Sequence, residues 1–223
     1  YIVESGVHMG FTTWLLRAAA PDAQIFCIDP NPEGMTHTEK NHTHFHDNNP
    51  KTRYFRAENF KDLNALDWDS LIPASERHLA FVALDDHMSA LRRSVELFAR
   101  GFVHLWYDDN WVNGDCYSFN QLCSDPAPDE DGHILMKDQF GRQATAITLV
   151  DYEAHSKWLQ EHMETYFEFP ALFDGCEEHT RRRSLLREED LERYGLPTVE
   201  EDWQHYQHLY SPYVKLGSPR QHG

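Results

Sequence analysis

Leu79-Ala80-Phe81-Val82-Ala83-Leu84-Asp85-Asp86-His87 and, some twenty residues later, Phe102-Val103-His104-Leu105-Trp106-Tyr107-Asp108-Asp109-Asn110 decide the fold. Each stretch is a short apolar run of the length and composition of a buried strand, ended by acidic residues. Between them, Met88 to Arg100 sets Leu91, Val95, Leu97, Phe98 and Ala99 among Arg92, Arg93 and Glu96, a helical pattern. Strand, helix, strand places the two strands parallel and adjacent, so that their carboxyl ends share one edge. Like charges gathered on one edge are unfavourable unless a cation or a proton relieves them. A divalent metal ion is the expected relief.

The same alternation extends toward the amino end. Tyr1-Ile2-Val3 starts a strand, and Glu4 to Gly10 turns into a helix from Thr12 to Ala20 that stops at Pro21-Asp22. Gln24 to Ile28 is a second strand, ended by Asp29-Pro30; Thr52 to Ala57 is a third, followed by Glu58-Asn59. Residues 35 to 50 read as a polar loop. The expected architecture is α/β: a doubly wound, Rossmann-like sheet of mostly parallel strands with helices on both faces. Ligands of such sheets bind beyond the carboxyl ends of the strands, near the point where strand order reverses. Every polar cluster named so far falls on that edge.

Past Trp111 the pattern thins. Residues 125 to 143 read as a long loop, Ala144 to Val150 as a sixth strand and Glu153 to Tyr166 as a helix. Residues 1–176 form the expected domain, and 177–223 a charged, helical carboxyl-terminal extension that carries Arg181-Arg182-Arg183.

Bulk properties exclude several classes. With 223 residues, 40% of them hydrophobic, the chain can bury one sizeable core. A formal net charge of −17 argues against nucleic acid and against anionic membranes. No apolar run is long enough to span a bilayer. Cys27, Cys116, Cys123 and Cys176 show no zinc spacing and read as free thiols, which favours a cytoplasmic setting; a Cys116–Cys123 bridge is the alternative in an oxidising compartment. Tyr1 stands already inside an apolar segment with no signal-peptide pattern, so a trimmed amino end is expected. A homo-oligomer stays open.

The candidate site residues follow the edge. Gly6 and Gly10 permit close backbone approach where a strand passes into a helix amino end that favours polar or anionic ligand groups. Glu4 is placed to meet a ligand amine. Asp29 stands about twenty residues past the glycine turn, where an acid holds the hydroxyls of a ribose. Glu58 and Asn59 are placed to meet an adenine edge. His42-x-His44-x-His46 alternates like a zinc site, but its polar flanks favour a solvated loop. Trp106, Tyr107 and Trp111 are candidates to stack on a substrate or to pack as core and rim.

Glu4-x-Gly6-x-x-x-Gly10, Ile28-Asp29-Pro30, Ala57-Glu58-Asn59 and Asp85-Asp86-His87 together resemble the class I S-adenosylmethionine-dependent methyltransferases, over roughly residues 1 to 112. Within these they are most similar to the metal-dependent small-molecule O-methyltransferases, the cephalosporin-hydroxylase-like group included. The resemblance implies that Gly6 and Gly10 cradle the methionine part of S-adenosylmethionine, with Asp29 on the ribose and Glu58 near adenine. It assigns Asp86 to the cofactor, Asp85, Asp108 and Asp109 to Mg²⁺ or another divalent cation, and His87 to the general base. The acidic cluster is one residue shorter than the common pattern, so the order of Asp85 and Asp86 stays open. The first turn lacks the fuller GxGxG form, and Gly101 alone stands before the fifth strand. The implied activity is metal-assisted methyl transfer to a hydroxyl of a sugar, polyol or phenol. The alternative is a methyltransferase-like domain without catalysis that serves as a binding or scaffold module.

Overall fold

The computed structural model describes residues 1–32, 44–108, 128–137, 143–169 and 211–218. It is a mixed α/β structure around a seven-stranded, mostly parallel sheet. The elements are β1 (Ile2–Ser5), α1 (Phe11–Ala19), β2 (Ile25–Asp29), β3 (Thr52–Arg56), β4 (Phe81–Leu84), α2 (Ala90–Phe98) and β5 (His104–Tyr107). Then come β6 (His133–Lys137), β7 (Gln143–Thr148), α3 (Leu149–His162), β8 (Met163–Glu168) and β9 (Pro212–Leu216). The large sheet runs β3-β2-β1-β4-β5-β9-β8, and β6 with β7 forms a separate two-stranded sheet.

Every residue of β1 and β2 is buried; in β2 this leaves the apolar run Ile25-Phe26-Cys27-Ile28, while β1 also buries Glu4 and Ser5. β1 pairs in parallel with β2 on one side and β4 on the other, setting Ser5 opposite both Ile28 and Leu84. Strand order therefore reverses between β1 and β4, and the turns that leave these two strands lie side by side. The Gly6 N–H donates to Ile28 O at 2.9 Å and the Asp85 N–H to Ser5 O at 2.8 Å, tying three strand ends together.

Alternation divides the core between the two faces of the sheet. On one, Ile2, Val7, Ile25 and Cys27 pack with Leu16 and Ala20 of α1 and with Ala23, Tyr54 and Phe81. On the other, Phe26 meets the edge of Trp68 at 6.4 Å between ring centroids, and Trp68 meets Phe102 at 5.0 Å. The Trp68 indole N–H donates to Leu63 O at 2.9 Å, so its burial leaves no polar atom stranded. Leu63, Leu66, Trp68 and Ile72 come from a run of short 3₁₀ turns.

Two compact units divide the chain: Tyr1–Met88 with Arg92–Trp106 and Lys215–Gly217, and Ser89–Leu91 with Tyr107–Val214 and Ser218–Gly223. In the second, β6 and β7 pair antiparallel. Thr148 then caps α3, its hydroxyl accepting the Asp151 N–H at 3.1 Å, and α3 buries Tyr152 and Leu159 two turns apart.

This part departs from the sequence expectations. The stretch expected as loop holds strand β6, and the expected sixth strand, β7, pairs with β6 and not with the large sheet. The expected helix to Tyr166 ends at His162, because Thr165-Tyr166-Phe167 belongs to the β-branched and aromatic types that fit a pleated surface, and β8 takes them. The expected helical extension contains β9, with Pro212, Val214 and Leu216 buried and the residues between them half-buried. Residues 170–210, including the expected boundary after 176, lie outside the described residues. Among the described residues no helix is long and apolar enough to cross a membrane.

Candidate functional site

The turn between β1 and α1 is built by close backbone approach. Gly6 has φ +87°, and a Cβ there would lie 2.0 Å from Asp85 O. Gly10, the residue before α1, has φ +81°, and its Cβ would lie 2.2 Å from Phe45 O. The chain's own backbone thus fills the space beside each glycine. Between them His8 also takes a left-handed conformation, φ +46°. The other non-glycine residues of this kind among the described residues are Ala57 and His87, at the carboxyl ends of β3 and β4. Each costs about 1–2 kcal/mol, and such strain concentrates where a backbone is shaped for a purpose.

Asp29 clamps this turn. Its Oδ2 accepts the N–H groups of Val7 and His8, both at 2.8 Å, and its Oδ1 that of Asn31 at 2.8 Å. Burial disfavours its charge, but the three N–H donors outweigh that and hold the carboxyl below its usual range. Arg56 pairs with Asp29 in the β2–β3 register and donates to His8 O at 3.2 Å.

Glu4 lies beneath α1. Its Oε2 accepts from the Thr13 hydroxyl at 2.7 Å and the Cys27 thiol at 3.3 Å. Its Oε1 is buried without a hydrogen-bond partner among the described residues, as are Arg56 Nε and His44 Nδ1. Burial, partly offset by the Thr13 and Cys27 donors, raises the Glu4 carboxyl to about 7. Glu58 and Asn59 stand exposed in the 3₁₀ turn that follows β3.

The acidic residues after β4 divide by role. Asp86 Oδ2 accepts from Ser5 Oγ at 2.7 Å and from Arg93 Nε at 2.8 Å, and Oδ1 accepts the Met88 N–H at 3.2 Å. Arg93, only 2% exposed, also grips Asp62 through both carboxylate oxygens at 3.0 and 2.8 Å, and Glu96 at 3.0 Å. Arg93 draws the Asp62 carboxyl down to about 2. The expectation was a divalent metal at this edge; at Asp86 the charge is met by the Arg93 guanidinium. Asp85 lies beside His87, whose Nε2 is 4.0 Å from Asp85 Oδ1, an ion-pair distance and too long for a hydrogen bond. The His87 side chain is 51% exposed.

Asp108 belongs to the second unit, where its carbonyl accepts from Ser211 Oγ at 2.9 Å. Asp109 lies outside the described residues, as do His42, Trp111, Cys116 and Cys123. Among the described residues no group of three or more His, Cys, Asp or Glu side chains is arranged to hold a metal ion. Tyr107 is core, its hydroxyl donating to Ala90 O at 3.1 Å. Of the histidine alternation, His44 is half-buried and His46 stacks on Tyr54 at 4.5 Å.

One edge of the first unit thus brings together Glu4, Gly6, Gly10, Asp29, Asp85, Asp86 and His87. Arg93 was not singled out from sequence, although a signal exists: it falls three residues after Ala90 and four before Leu97, on the buried stripe of α2. Thr13 and Arg56 were missed for want of any local pattern. Comparison with known proteins finds no matching family model, no matching curated protein and no matching solved structure.

Proposed function

We propose that the chain is a Rossmann-like, S-adenosylmethionine-dependent methyltransferase acting on a hydroxyl of a small molecule, a sugar, polyol or phenol. The observation that carries this reading is Glu4: a buried carboxyl whose Oε1 has no partner among the described residues, set under a left-handed turn where strand order reverses. A buried acceptor left unmade costs about 1–3 kcal/mol, which a ligand ammonium would return. The N-cap of α1 is Gly10, which offers no side-chain cap, so the first-turn N–H groups suit the carboxylate of the same amino-acid moiety. Asp29 offers a ribose little, since three of roughly four lone-pair sites on a carboxylate are already taken by backbone N–H groups. Its main work is to shape the turn, with Glu58 and Asn59 exposed further along the edge.

S-adenosylmethionine, when bound, supplies an electrophilic methyl group to a nucleophile held in line with it. His87 is the general base that takes the hydroxyl proton, a contribution of about 10²–10⁴-fold. Asp85 beside it stabilises the imidazolium that results. Asp86 is held by Arg93, Ser5 and Met88, and no step here passes through Mg²⁺. The test is calorimetric titration of S-adenosylmethionine into the wild-type chain and into Glu4→Gln, followed by methyl transfer to hydroxylated acceptors with and without EDTA. Loss of binding in Glu4→Gln supports the reading; equal binding by both sinks the role of Glu4.

A second reading, a methyltransferase-like domain without catalysis, is favoured by one observation: the chain's own backbone accounts for both glycines and for most of Asp29. Under it, neither S-adenosylmethionine nor its demethylated product shifts the melting temperature.

A further inference from the structure

We infer that Arg93 is a positioning residue, which locks the turn after β4 against the glycine turn after β1 and gives the acidic edge its own internal cation. One oxygen of Asp86 accepts from both Arg93 Nε, at 2.8 Å, and Ser5 Oγ, at 2.7 Å, so a single atom joins α2 to the end of β1. The other oxygen accepts the Met88 N–H at 3.2 Å, bending the chain around His87 in its left-handed conformation of φ +53°. Ser5 precedes Gly6, whose missing Cβ leaves room for the Asp85 carbonyl. This ion pair therefore adds a side-chain link between the two turns to the backbone bond from Asp85 N–H to Ser5 O. On its far side Arg93 cannot swing away, because Asp62 holds it by two bonds and Glu96 by a third. Five N–H donors in a rigid fork suit this task; a lysine ammonium, a point charge, cannot serve Asp62 bidentately and Asp86 together. Any cation or ligand donor approaching Asp86 Oδ2 competes with a bond already made.

Two substitutions separate positioning from plain stabilisation. Arg93→Lys removes the fork; Asp62→Asn loosens the far side and leaves the Arg93–Asp86 bond in place. Amide hydrogen exchange is followed in the peptides covering residues 5–9 and 84–88, with β2 as internal reference, well below the melting temperature of each variant. Arg93→Lys is expected to speed exchange in both turns at least tenfold relative to β2, while Asp62→Asn lowers the melting temperature and leaves the turns within threefold of wild type. Asp86→Asn, which cuts the same link from the other end, should reproduce the Arg93→Lys pattern and serves if Arg93→Lys does not fold. Uniform acceleration across the sheet, or equal effects of Arg93→Lys and Asp62→Asn on the turns, would overturn the inference. An affinity arm rests on the proposed function: S-adenosylmethionine should bind Arg93→Lys at least tenfold more weakly than wild type and Asp62→Asn nearly as well. If wild type does not bind it, the proposed function falls and the exchange measurement still decides the role of Arg93.

Discussion

Replacing Gly6 by alanine tests the construction of the edge where it is tightest. A Cβ at this position would lie 2.0 Å from Asp85 O, 2.4 Å from Asp85 C and 2.9 Å from Asp86 N, all backbone atoms where ordinary contact begins at 3.4 Å. The neighbouring turn must therefore retreat by more than an ångström, or β1 must. Two costs follow. A non-glycine residue at φ +87° loses about 1–2 kcal/mol, and forcing a methyl group into filled space loses about 1–3 kcal/mol more. The expected destabilisation is about 2–5 kcal/mol, a large share of the roughly 5–15 kcal/mol that holds a domain together. Gly101→Ala isolates the conformational part, since Gly101 has φ +88° but its Cβ would meet nothing closer than Arg77 Cβ at 3.8 Å. That variant should lose only about 1–2 kcal/mol. Urea unfolding of the two variants beside wild type, read at constant slope, gives both values. If Gly6→Ala loses no more than Gly101→Ala, the close approach of the two turns is wrong.

Other expectations are simpler. Trp68→Ala empties a site that is 3% exposed and packed edge-on against Phe26 and Phe102, and should cost about 3–5 kcal/mol by urea unfolding. Asp47→Ala strips the main charge partner, at 2.7 Å, from an Arg17 guanidinium whose other acceptors are Thr52 Oγ1 and the carbonyls of Ala20, Pro21 and Ala23. It should cost about 3 kcal/mol, and a loss under 1 kcal/mol would show that the carbonyls suffice. Glu4 carries a pH signature: its carboxyl rises from an ordinary 4.5 to about 7, so the folded state prefers it protonated. Its contribution is fully present below about pH 4.5 and is lost as pH climbs to about 7, a swing on the order of 3 kcal/mol. Glu4→Gln should therefore gain on wild type between pH 4.5 and 8 in thermal melts, and a difference flat in pH would contradict the burial argument.

Strands β2 and β4 were legible because parallel strands buried on both faces leave short apolar runs, and β1, β3 and β5 because glycine, proline or acidic residues punctuate short stretches of strand-forming residues. Asp29 and Gly6 were found for the right place in the chain, but their bonds were not: Asp29 turns its oxygens to backbone N–H groups and Gly6 makes room for Asp85. Counting carboxylates led to a divalent metal at this edge, whereas the charge of Asp86 is met by a guanidinium buried on the α2 stripe. A charged residue on an apolar stripe looks like an interruption until its three carboxylate partners, two of them distant in sequence or on another element, are seen. Residues 60–78 escaped because 3₁₀ turns carry no lasting period; Trp68 and Ile72 are core without belonging to an α-helix or strand. Met163 to Glu168 misled because its residues continue a helical stretch while their β-branched and aromatic members pair in a sheet.

Isothermal titration of S-adenosylmethionine into the wild-type chain, with Mg²⁺ and then with EDTA, tests the central claim most directly. The account expects saturable one-site binding at micromolar strength, about −8 kcal/mol, largely retained in EDTA because Glu4, the α1 amino end and the Asp29-clamped turn carry it. Absence of heat and of any melting shift in both conditions would contradict it.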